Sequence, residues 1–536
     1  MKHRAIKRRS VVMGIGATAG VAAVGGIALS AQASDTSSSA SGSLVFDPDA
    51  YSELTTTVTD TDGDEHSVTY HFWKAITYVA DPVDATYQSL IVSAPVEIDG
   101  ESVDPSNAPI LLANSVGGYM PSSVADATGV GAGGGGGGMP GGTLPSDAPT
   151  SSAAPNANEN TNANGGATSS NQLLALAAGY VVIEPGARGR TLKNSDGDYY
   201  GVAPAAIVDL KAAVRYIRSN QGRIPGNTDR IVSAGTSAGG ALSALLGASG
   251  DSPLYDKLLK EIGAADASDA IFATGAWCPI TDLEHADGAY EWNWGSNATS
   301  SGSQVDQTVS KALRSQFAEY QAGLRLKGLD GTRLTARNYD TYLVEQYLEP
   351  SATRYLTALS DSARATYLAS NTFISWKNGK ASFSWDDFLT HVGARKKTTP
   401  AFDAFDLSAG ENNLFGKGTT ETRHFTAYSL KHDTTGVTAK RLDGDIPEVL
   451  RLMNPMHFLV DEPNESRTKH WWIRLGTNDS DTSHTVSANL AAAAHTLGDD
   501  VNHLYYWDEG HGANTDPGDF IAWIAKVTGH QAKAKK

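Results

Sequence analysis

The sequence contains a single cysteine, Cys278, among its 536 residues. An intrachain disulfide is therefore excluded, even for a chain that enters an oxidising compartment. Cys278 lies in the apolar run 271–280, and we interpret it as a buried packing residue. Histidine pairs with cysteine or glutamate at zinc-ligand spacing are missing, and the acidic stretch 60–65 lacks the full pattern of a calcium loop. We predict no metal and no other cofactor, and we interpret 60–65 as a hairpin turn.

Positive charge is also scarce. The chain has 42 lysine and arginine residues against 59 acidic residues, which gives a formal net charge of −17. Removing residues 1–33 takes away five positive charges and no acidic residue, and this changes the net charge to −22. Because such a surface repels phosphate groups, nucleic acid is excluded as an expected partner.

A strongly apolar run of membrane-spanning length is missing as well. The first nine residues carry five lysines and arginines, and a weakly apolar stretch rich in Gly, Ala and Val leads to Ala31-Gln32-Ala33. This pattern predicts a signal peptide over 1–33, and the Arg8-Arg9 pair favours the twin-arginine route. The alternative is a membrane anchor, which the Gly and Ala content disfavours. We expect a secreted or cell-surface protein with no stable membrane insertion after signal cleavage.

Two compositional breaks divide the rest of the chain. Residues 122–170 contain six consecutive glycines and many Pro, Ser, Asn and Thr residues, which is typical of a disordered insertion. From 285 to 455 the strand pattern gives way to amphipathic helical stretches without a strong strand. We predict a core domain formed by 34–284 and 456–530, with 285–455 inserted as a mainly helical lid after the sixth strand.

Within the core, short apolar runs alternate with helical stretches. Predicted strands cover 66–79, 88–98, 108–116, 179–185, 231–234, 271–280, 470–476 and 503–507. Predicted helices cover 203–220, 491–497 and 520–527. This rhythm indicates an α/β fold with a doubly wound, mostly parallel sheet.

One strand ends in the sequence Gly235-Thr-Ser237-Ala238-Gly239 and is followed by a helix of small residues. This is the pattern of a nucleophile elbow, where glycines two before and two after the serine avoid collisions in a tight turn. Ser237 would then be exposed at a helix N-terminus, with the Ala238 N–H facing a developing oxyanion. A plain strand-to-helix turn is the alternative.

A second oxyanion donor is expected in the loop after the 108–116 strand. In hydrolases of this architecture the glycine-rich loop after the third strand supplies an N–H group, and Gly118 stands at that place. A simple Gly-Gly turn is the alternative.

A serine nucleophile needs an imidazole as base and a carboxylate that orients the imidazole. Asp479 follows the 470–476 strand, and His511 follows the next strand, so both loops open at the same edge of the sheet as Ser237. The order serine, acid, histidine is the one expected for this architecture.

Several other residues compete for these roles. Asp282 also follows a strand, and Asp481 is too close to Asp479 to be distinguished by spacing. We expect His484 and His495 on a surface helix and His503 within a strand, so these histidines compete poorly with His511.

The chain resembles the bacterial tannases, a branch of the α/β-hydrolases. The resemblance covers about residues 91–524 and rests on motifs that occur in order: NSVGGYMP (114–121), EPGARGRTL (184–192), GTSAGGALS (235–243), PITDLEHAD (279–287), PAFDAFD (400–406), ENNLFG (411–416), GTNDSDT (476–482) and WDEGHGANTD (507–516). It implies an α/β-hydrolase fold and carries the family's triad to Ser237, Asp479 and His511. The 122–170 insertion departs from the family pattern.

The resemblance also implies contacts to the hydroxyl groups of a galloyl ring. These contacts correspond to Lys397, Glu411 and Asp481, although Lys396 adjoins Lys397 and leaves the lysine open. Carboxylates can accept hydrogen bonds from phenols and an ammonium can only donate, so two acids and a lysine suit a polyphenol. A solvated ion pair of Lys397 and Glu411 is the alternative.

The expected activity is therefore a serine esterase that hydrolyses galloyl esters of tannins through an acyl-enzyme, with a small polyphenol ester as its partner. The first alternative is a feruloyl or other hydroxycinnamoyl esterase, which comparable rates on gallate and ferulate esters would indicate. A serine peptidase would cleave a peptide but no aryl ester. A noncatalytic polyphenol-binding protein would leave Ser237 unlabelled by a fluorophosphonate.

Overall fold

The computed structural model describes residues 44–132, the short strands at 160–161 and 167–168, and residues 170–530. The predicted signal peptide 1–33 and most of the predicted insertion 122–170 lie outside the described residues. Residues 122–132 of the predicted insertion are among the described residues and pack locally. Ser122 forms a β-bridge with Ala187, and the side chains of Val124 and Ala127 are buried.

A ten-stranded mixed sheet forms the centre of the described structure. Its strands are β1 (Ser52–Thr59), β2 (Glu65–Thr77), β3 (Ser89–Ile98), β4 (Glu101–Ser102), β5 (Ile110–Ala113), β8 (Val181–Pro185), β9 (Ile231–Thr236), β10 (Ala273–Trp277), β13 (His470–Gly476) and β14 (Asp500–Tyr506). Two short strands, β6 (Asn160–Thr161) and β7 (Ala167–Thr168), pair with each other.

The strand order is β1-β2-β3-β8-β5-β9-β10-β13-β14, with β4 paired to β3. All pairings from β8 to β14 are parallel, whereas β1, β2, β3 and β4 are antiparallel to their neighbours. The strands β5, β8, β9 and β10 are buried almost throughout, as parallel strands covered on both faces must be. The predicted α/β fold is confirmed, and its sheet is mixed, with the parallel pairings confined to the strands from β8 to β14.

Helices accompany the sheet. They are α1 (Asn171–Ala177), α2 (Ala205–Ser219), α3 (Ala238–Ala248), α4 (Asp256–Glu261), α14 (His484–Thr496) and α15 (Pro517–Thr528). The apolar face predicted for α2 is buried at Ile207, Leu210, Val214 and Ile217. Helix α3 consists of Ala, Gly, Leu and Ser residues and is buried along its whole length, because small side chains allow it to approach the sheet closely. The acidic stretch 60–65 contains the turn between β1 and β2.

The chain leaves the sheet after β10 and returns at β13, its direct parallel neighbour. The intervening residues form α5 (Leu283–Trp294), α6 (Gln307–Leu324), α7 (Tyr339–Leu343), α8 (Glu349–Ala358), α9 (Asp361–Ser370), α10 (Trp385–Val392), α11 (Gly410–Leu414), α12 (Ala427–Lys431) and α13 (Ile446–Met453). Two π-helical turns at Val344–Leu348 and His457–Asp461 complete this region. We call the region 283–461 the inserted segment.

The inserted segment also contains a β-hairpin, which the prediction of a region without a strong strand left out. Strands β11 (Ser375–Lys377) and β12 (Lys380–Ser382) pair around Asn378-Gly379, and both turn residues have positive φ angles, 52° and 73°. Asn-Gly is the preferred sequence of a two-residue hairpin turn, so the local signal was present. The role of the inserted segment as a lid over the substrate pocket stays a prediction.

Searching the described residues for a membrane span yields no helix that combines the required length with the required apolarity.

Candidate active site

Ser237 occupies a strained turn between β9 and α3. Its backbone angles are φ 60° and ψ −121°, a conformation that residues other than glycine rarely adopt. A Cβ atom at position 235 would lie 2.3 Å from the carbonyl oxygen of Gly239, and a Cβ at 239 would lie 2.8 Å from the carbonyl oxygen of Val116. Both distances are below van der Waals contact, so this turn requires glycine at both places.

Asn114 ties the loop after β5 to this turn. Its amide nitrogen donates to the carbonyl oxygens of Ala234 and Gly239 at 3.1 Å each, and to the hydroxyl of Ser243 at 3.0 Å. The loop that carries Gly118 is therefore anchored beside the start of α3.

Ser237, His511 and Asp479 form one hydrogen-bonded row. The distance from Ser237 Oγ to His511 Nε2 is 2.8 Å, and the distance from His511 Nδ1 to Asp479 Oδ2 is also 2.8 Å. Because an ionised carboxylate can only accept, Nδ1 carries the proton and Nε2 of the neutral ring accepts from the serine. The three side chains are arranged for proton transfer from the hydroxyl to the imidazole.

The loops that carry the acid and the histidine touch each other closely. A Cβ at Gly476 would lie 2.2 Å from the carbonyl oxygen of Glu509 and 2.5 Å from that of Gly510. Asp479 is almost fully buried, and its second oxygen accepts from the backbone N–H of Asp481 at 2.9 Å. These contacts fix the carboxylate against the imidazole.

His511 has an unusual electrostatic environment. Burial lowers the pKa of its imidazole, but Cys278 and Asp479 raise it, and the net result is a pKa well above the usual value of 6.5. Cys278 is buried as predicted, but its Sγ lies 3.9 Å from His511 Nε2, so the thiol borders the site. The sequence held a signal for this position, since Cys278 directly follows β10 at the strand edge where Ser237 also lies.

The other two candidate acids are placed less well than Asp479 for orienting His511. Asp282 accepts hydrogen bonds from Tyr320 at 2.5 Å and Asn454 at 2.9 Å and pairs with His285 at 2.9 Å, so its oxygens are occupied elsewhere. Asp481 Oδ2 lies 3.8 Å from His511 Nδ1, farther than Asp479.

Among the candidate histidines, the prediction that His484 lies on a surface helix was wrong. The side chain is fully buried, Nε2 lies 3.1 Å from the carbonyl oxygen of Thr477, and burial lowers its pKa to about 4. Helix α14 is buried nearly throughout because alanines dominate it, and only its end, with His495, is exposed. His503 lies within β14, and burial lowers its pKa to about 3.

Two backbone N–H groups are candidates for binding an oxyanion. Ala238 is the first residue of α3, so its N–H has no acceptor within the helix. Gly118 lies in the loop anchored by Asn114 and has a φ of 55°, and its carbonyl oxygen accepts from Arg190 Nε at 2.9 Å. Asn114 thus connects the loop of Gly118 to the turn that carries Ser237.

The residues matched to galloyl contacts form two ion pairs. Lys397 Nζ lies 3.9 Å from Glu411 Oε1 and 3.7 Å from the ring centre of Phe402. Lys396 Nζ lies 2.8 Å from Asp481 Oδ2, and the Lys396 side chain is 48% exposed against 22% for Lys397. Lys397 therefore pairs with Glu411, and Lys396 pairs with Asp481. Asp481 also lies 3.8 Å from His511, so the pair of Lys396 and Asp481 borders the catalytic row.

In the described part of the chain, one group meets the spacing expected of metal ligands: Cys278, Asp479 and His511, with ligand atoms within 4.8 Å of one another. The carboxylate faces Nδ1, whereas the thiol faces Nε2. Both ring nitrogens of His511 are already hydrogen-bonded, Nδ1 to Asp479 and Nε2 to Ser237, each at 2.8 Å. The arrangement suits proton transfer better than metal binding.

Comparison with known proteins gives one family and several solved structures. The BD-FAE family model matches residues 156–355. A tannin acyl hydrolase in complex with ethyl gallate is 35% identical, with 90% of this chain and 99% of that chain covered and a TM-score of 0.74. A tannin acyl hydrolase in complex with 3,4-dihydroxybenzoate is 36% identical, with the same coverage and TM-score. The tannase of Fusobacterium nucleatum is 35% identical, with 91% and 99% covered and a TM-score of 0.75. No curated protein matches the chain.

Proposed function

Because the chain belongs to the tannase family, we propose that it is a serine esterase that hydrolyses galloyl esters through an acyl-enzyme. The observation that carries this proposal is the row Ser237–His511–Asp479, with both hydrogen bonds at 2.8 Å. A strained serine, an imidazole hydrogen-bonded to its hydroxyl and a buried carboxylate are the parts that acyl transfer needs.

In the first half of the reaction, Ser237 Oγ attacks the ester carbonyl carbon while His511 Nε2 takes the hydroxyl proton. Asp479 stabilises the imidazolium that results. The N–H groups of Ala238 and Gly118 donate to the oxyanion of the tetrahedral intermediate. The intermediate collapses as the C–O bond to the alcohol breaks, and His511 returns its proton to the leaving oxygen.

In the second half, water replaces the alcohol. His511 takes a proton from the water, the hydroxide attacks the acyl-serine carbonyl, and the bond to Ser237 breaks. The proton on His511 returns to Ser237 Oγ, and free acid leaves. No redox change occurs, and each proton taken by the imidazole is given back.

The acyl ring would be bound by the two ion pairs at the site. Glu411 and Asp481 accept hydrogen bonds from phenolic hydroxyls, and Lys397 donates to one. Lys396 is the alternative donor, supported by its 2.8 Å contact with Asp481. Two relatives are complexes with ethyl gallate and with 3,4-dihydroxybenzoate, both with hydroxyls on a ring attached to the carboxyl carbon, and this supports the same acyl class here.

Export is part of the proposal and rests on the sequence of residues 1–33 alone. A mature protein with a net charge of −22 would act on small esters outside the cell. The inserted segment, which carries Lys397 and Glu411, would cover the bound ring as a lid.

The substrate class is tested by the kcat/KM values for methyl gallate, methyl ferulate and methyl benzoate. We expect methyl gallate to exceed methyl ferulate by as much as roughly 10⁴-fold, because polar groups left unpaired by the wrong substrate penalise it. Replacing Glu411 by Gln should lower kcat/KM for methyl gallate by roughly 10- to 100-fold, since a hydrogen bond to a charged group is lost. Methyl benzoate, which has no ring hydroxyl, serves as the matched substrate and should respond little to that change. Comparable rates on gallate and ferulate would indicate a hydroxycinnamoyl esterase instead.

A further inference from the structure

Arg190 lies between the loop of Gly118 and the helix that carries Glu411. Its Nε donates to the carbonyl oxygen of Gly118 at 2.9 Å, and its Nη1 donates to the side-chain oxygen of Asn413 in α11 at 2.9 Å. Its guanidinium also packs on Gly410, where an added Cβ would lie 3.0 Å from Nη2. One side chain therefore connects two parts of the site that come from distant places in the sequence.

The backbone around Arg190 is held rigidly against the same loop. The N–H of Arg190 donates to the carbonyl oxygen of Tyr119 at 2.9 Å, directly after the carbonyl that the side chain holds. Ser122 and Ala187 exchange backbone hydrogen bonds at 3.0 and 2.9 Å. A Cβ at Gly189 would lie 2.1 Å from the backbone nitrogen of Pro121, so this close approach requires glycine. The backbone of Arg190 is therefore held in place, which limits the positions that its side chain can take.

Glu411 interacts electrostatically with Arg190 and Tyr119. Burial lowers the pKa of Arg190, and the Glu411 carboxylate opposes the shift. Burial also raises the pKa of the neighbouring Tyr119, and Glu411 raises it further. The carboxylate thus interacts electrostatically with both residues, and it directly follows Gly410, on which the guanidinium packs.

The shape of a galloyl group explains why the contact of Arg190 with both Gly118 and α11 would matter. In a galloyl ester the carbonyl carbon is bonded directly to a rigid ring, so the distance from the oxyanion to the ring hydroxyls is fixed. A site for this acyl group therefore needs one fixed distance between the N–H group that binds the oxyanion and the carboxylate that binds the ring hydroxyls. A misplacement of about 1 Å can cost roughly 100-fold in rate.

We propose that Arg190 is a positioning residue that holds Gly118 and α11 at the spacing required by an aromatic acyl group bonded directly through its ring. This inference rests on the proposed function, because it uses the roles of Gly118 and Glu411 in galloyl ester hydrolysis. Arg190 acts through these residues and takes no part in bond making or breaking. Its removal therefore changes selectivity between acyl groups as well as overall rate.

The test compares methyl gallate with p-nitrophenyl acetate, whose acyl group carries no ring. Arg190→Met should lower kcat/KM for methyl gallate by roughly 100-fold, mostly through kcat. The same variant should lower kcat/KM for p-nitrophenyl acetate by only about tenfold, because the acetyl group uses Gly118 but not α11. Arg190→Lys, which keeps a charge but loses the two-sided contact, should fall between the wild type and Arg190→Met. Arg223→Met is the matched control, since Arg223 is exposed before β9, at the opposite end of that strand from Ser237.

A second variant keeps the test decisive if Arg190→Met does not fold. Asn413→Leu removes the acceptor on α11 and leaves the contact to Gly118. It should lower methyl gallate hydrolysis about tenfold and change p-nitrophenyl acetate hydrolysis by less than about threefold. Equal losses on both esters in a folded Arg190→Met or Asn413→Leu enzyme, or no loss on either, would overturn the proposal.

The proposed function and the role of Arg190 fail in different ways. A wild-type enzyme that hydrolyses p-nitrophenyl acetate but not methyl gallate contradicts the proposed substrate, and with it the inference. A wild-type enzyme that prefers methyl gallate, together with an Arg190→Met variant of unchanged preference, contradicts only the inference.

Discussion

The backbone of Ser237 holds a φ of 60° only because its surroundings offset the strain. A residue in such a conformation costs about 1–3 kcal/mol relative to an ordinary one. The side chain of Asn114 contributes three hydrogen bonds to this turn and to α3, and the two glycines remove the collisions that any Cβ would cause. The strain is useful because it presents the hydroxyl to His511 at the start of a helix.

The pH dependence of activity should reflect the raised pKa of His511. Only the neutral imidazole accepts a proton from Ser237, so activity should rise with pH and level off above the pKa of His511. Because Cys278 and Asp479 raise this pKa against the effect of burial, the acid limb of kcat/KM should have its midpoint above pH 6.5. The profile of kcat/KM for methyl gallate, extended upwards from about pH 5 until it levels off, measures this midpoint.

The Asp479→Asn variant provides the control for this assignment. Loss of the negative charge should move the acid limb to lower pH, in addition to lowering kcat by roughly 10⁴-fold. A wild-type limb with its midpoint at or below pH 6.5, or a limb that does not move in the variant, would contradict the assignment of His511 as the base.

At the residue scale, the sequence was informative where chain order and sterics constrain a position. The glycines at 235 and 239 follow from the turn, and the positions of Asp479 and His511 follow from the ends of consecutive strands. Contacts that depend on tertiary packing were not predictable. The approach of Cys278 to His511 and the pairing of Lys396 with Asp481 both arise where separate segments meet.

At the scale of single elements, the joint between β9 and α3 combines close backbone contacts with the reactive serine. Gly239 faces both the side chain of Asn114 and the carbonyl oxygen of Val116, so the joint and the loop after β5 form one packed unit. A change that separates them would disturb Ser237 and the loop of Gly118 together. The joint between β9 and α3 therefore tolerates little additional side-chain volume.

A glycine pair tests this close packing. Gly239→Ala would place a Cβ 2.6 Å from Asn114 Oδ1, and should lower both activity and stability, the latter by roughly 1–3 kcal/mol through overpacking. Gly323→Ala is the matched control, because Gly323 lies in α6 with no atom within 4 Å of the added Cβ, and it should raise stability by roughly 0.5–1 kcal/mol. Thermal unfolding and kcat for methyl gallate measure both effects. An active Gly239→Ala variant of wild-type stability would contradict the packing argument.

Sequence periodicity predicted the long elements better than the short ones. The apolar face of α2 and most core strands were expected from their patterns, and the structure has them. Helices α7, α11 and α12 have five residues each, which is too short for a repeating apolar face to be visible in the sequence. The burial of α14 was missed because a run of alanines fits both a surface and a buried helix.

At the scale of the whole molecule, the sheet topology brings the site together. Ser237 and His511 are 274 residues apart in the chain, yet β9, β10, β13 and β14 are consecutive neighbours in the sheet. The family resemblance inferred from the motifs is confirmed by relatives of about 35% identity over 90% of the chain. Fold class and chain order were thus accessible from the sequence, whereas the packing of the inserted segment on the site was not, because its short helices are placed by tertiary contacts.

The central claim is that Ser237 is the nucleophile that receives the acyl group, and the kcat of Ser237→Ala on methyl gallate tests it most directly. The variant removes one oxygen atom and should keep the fold, so its melting temperature and its affinity for methyl gallate serve as controls. The account predicts a loss in kcat of roughly 10⁴- to 10⁶-fold, with binding retained. A folded variant that turns over methyl gallate at a near-normal rate would contradict it.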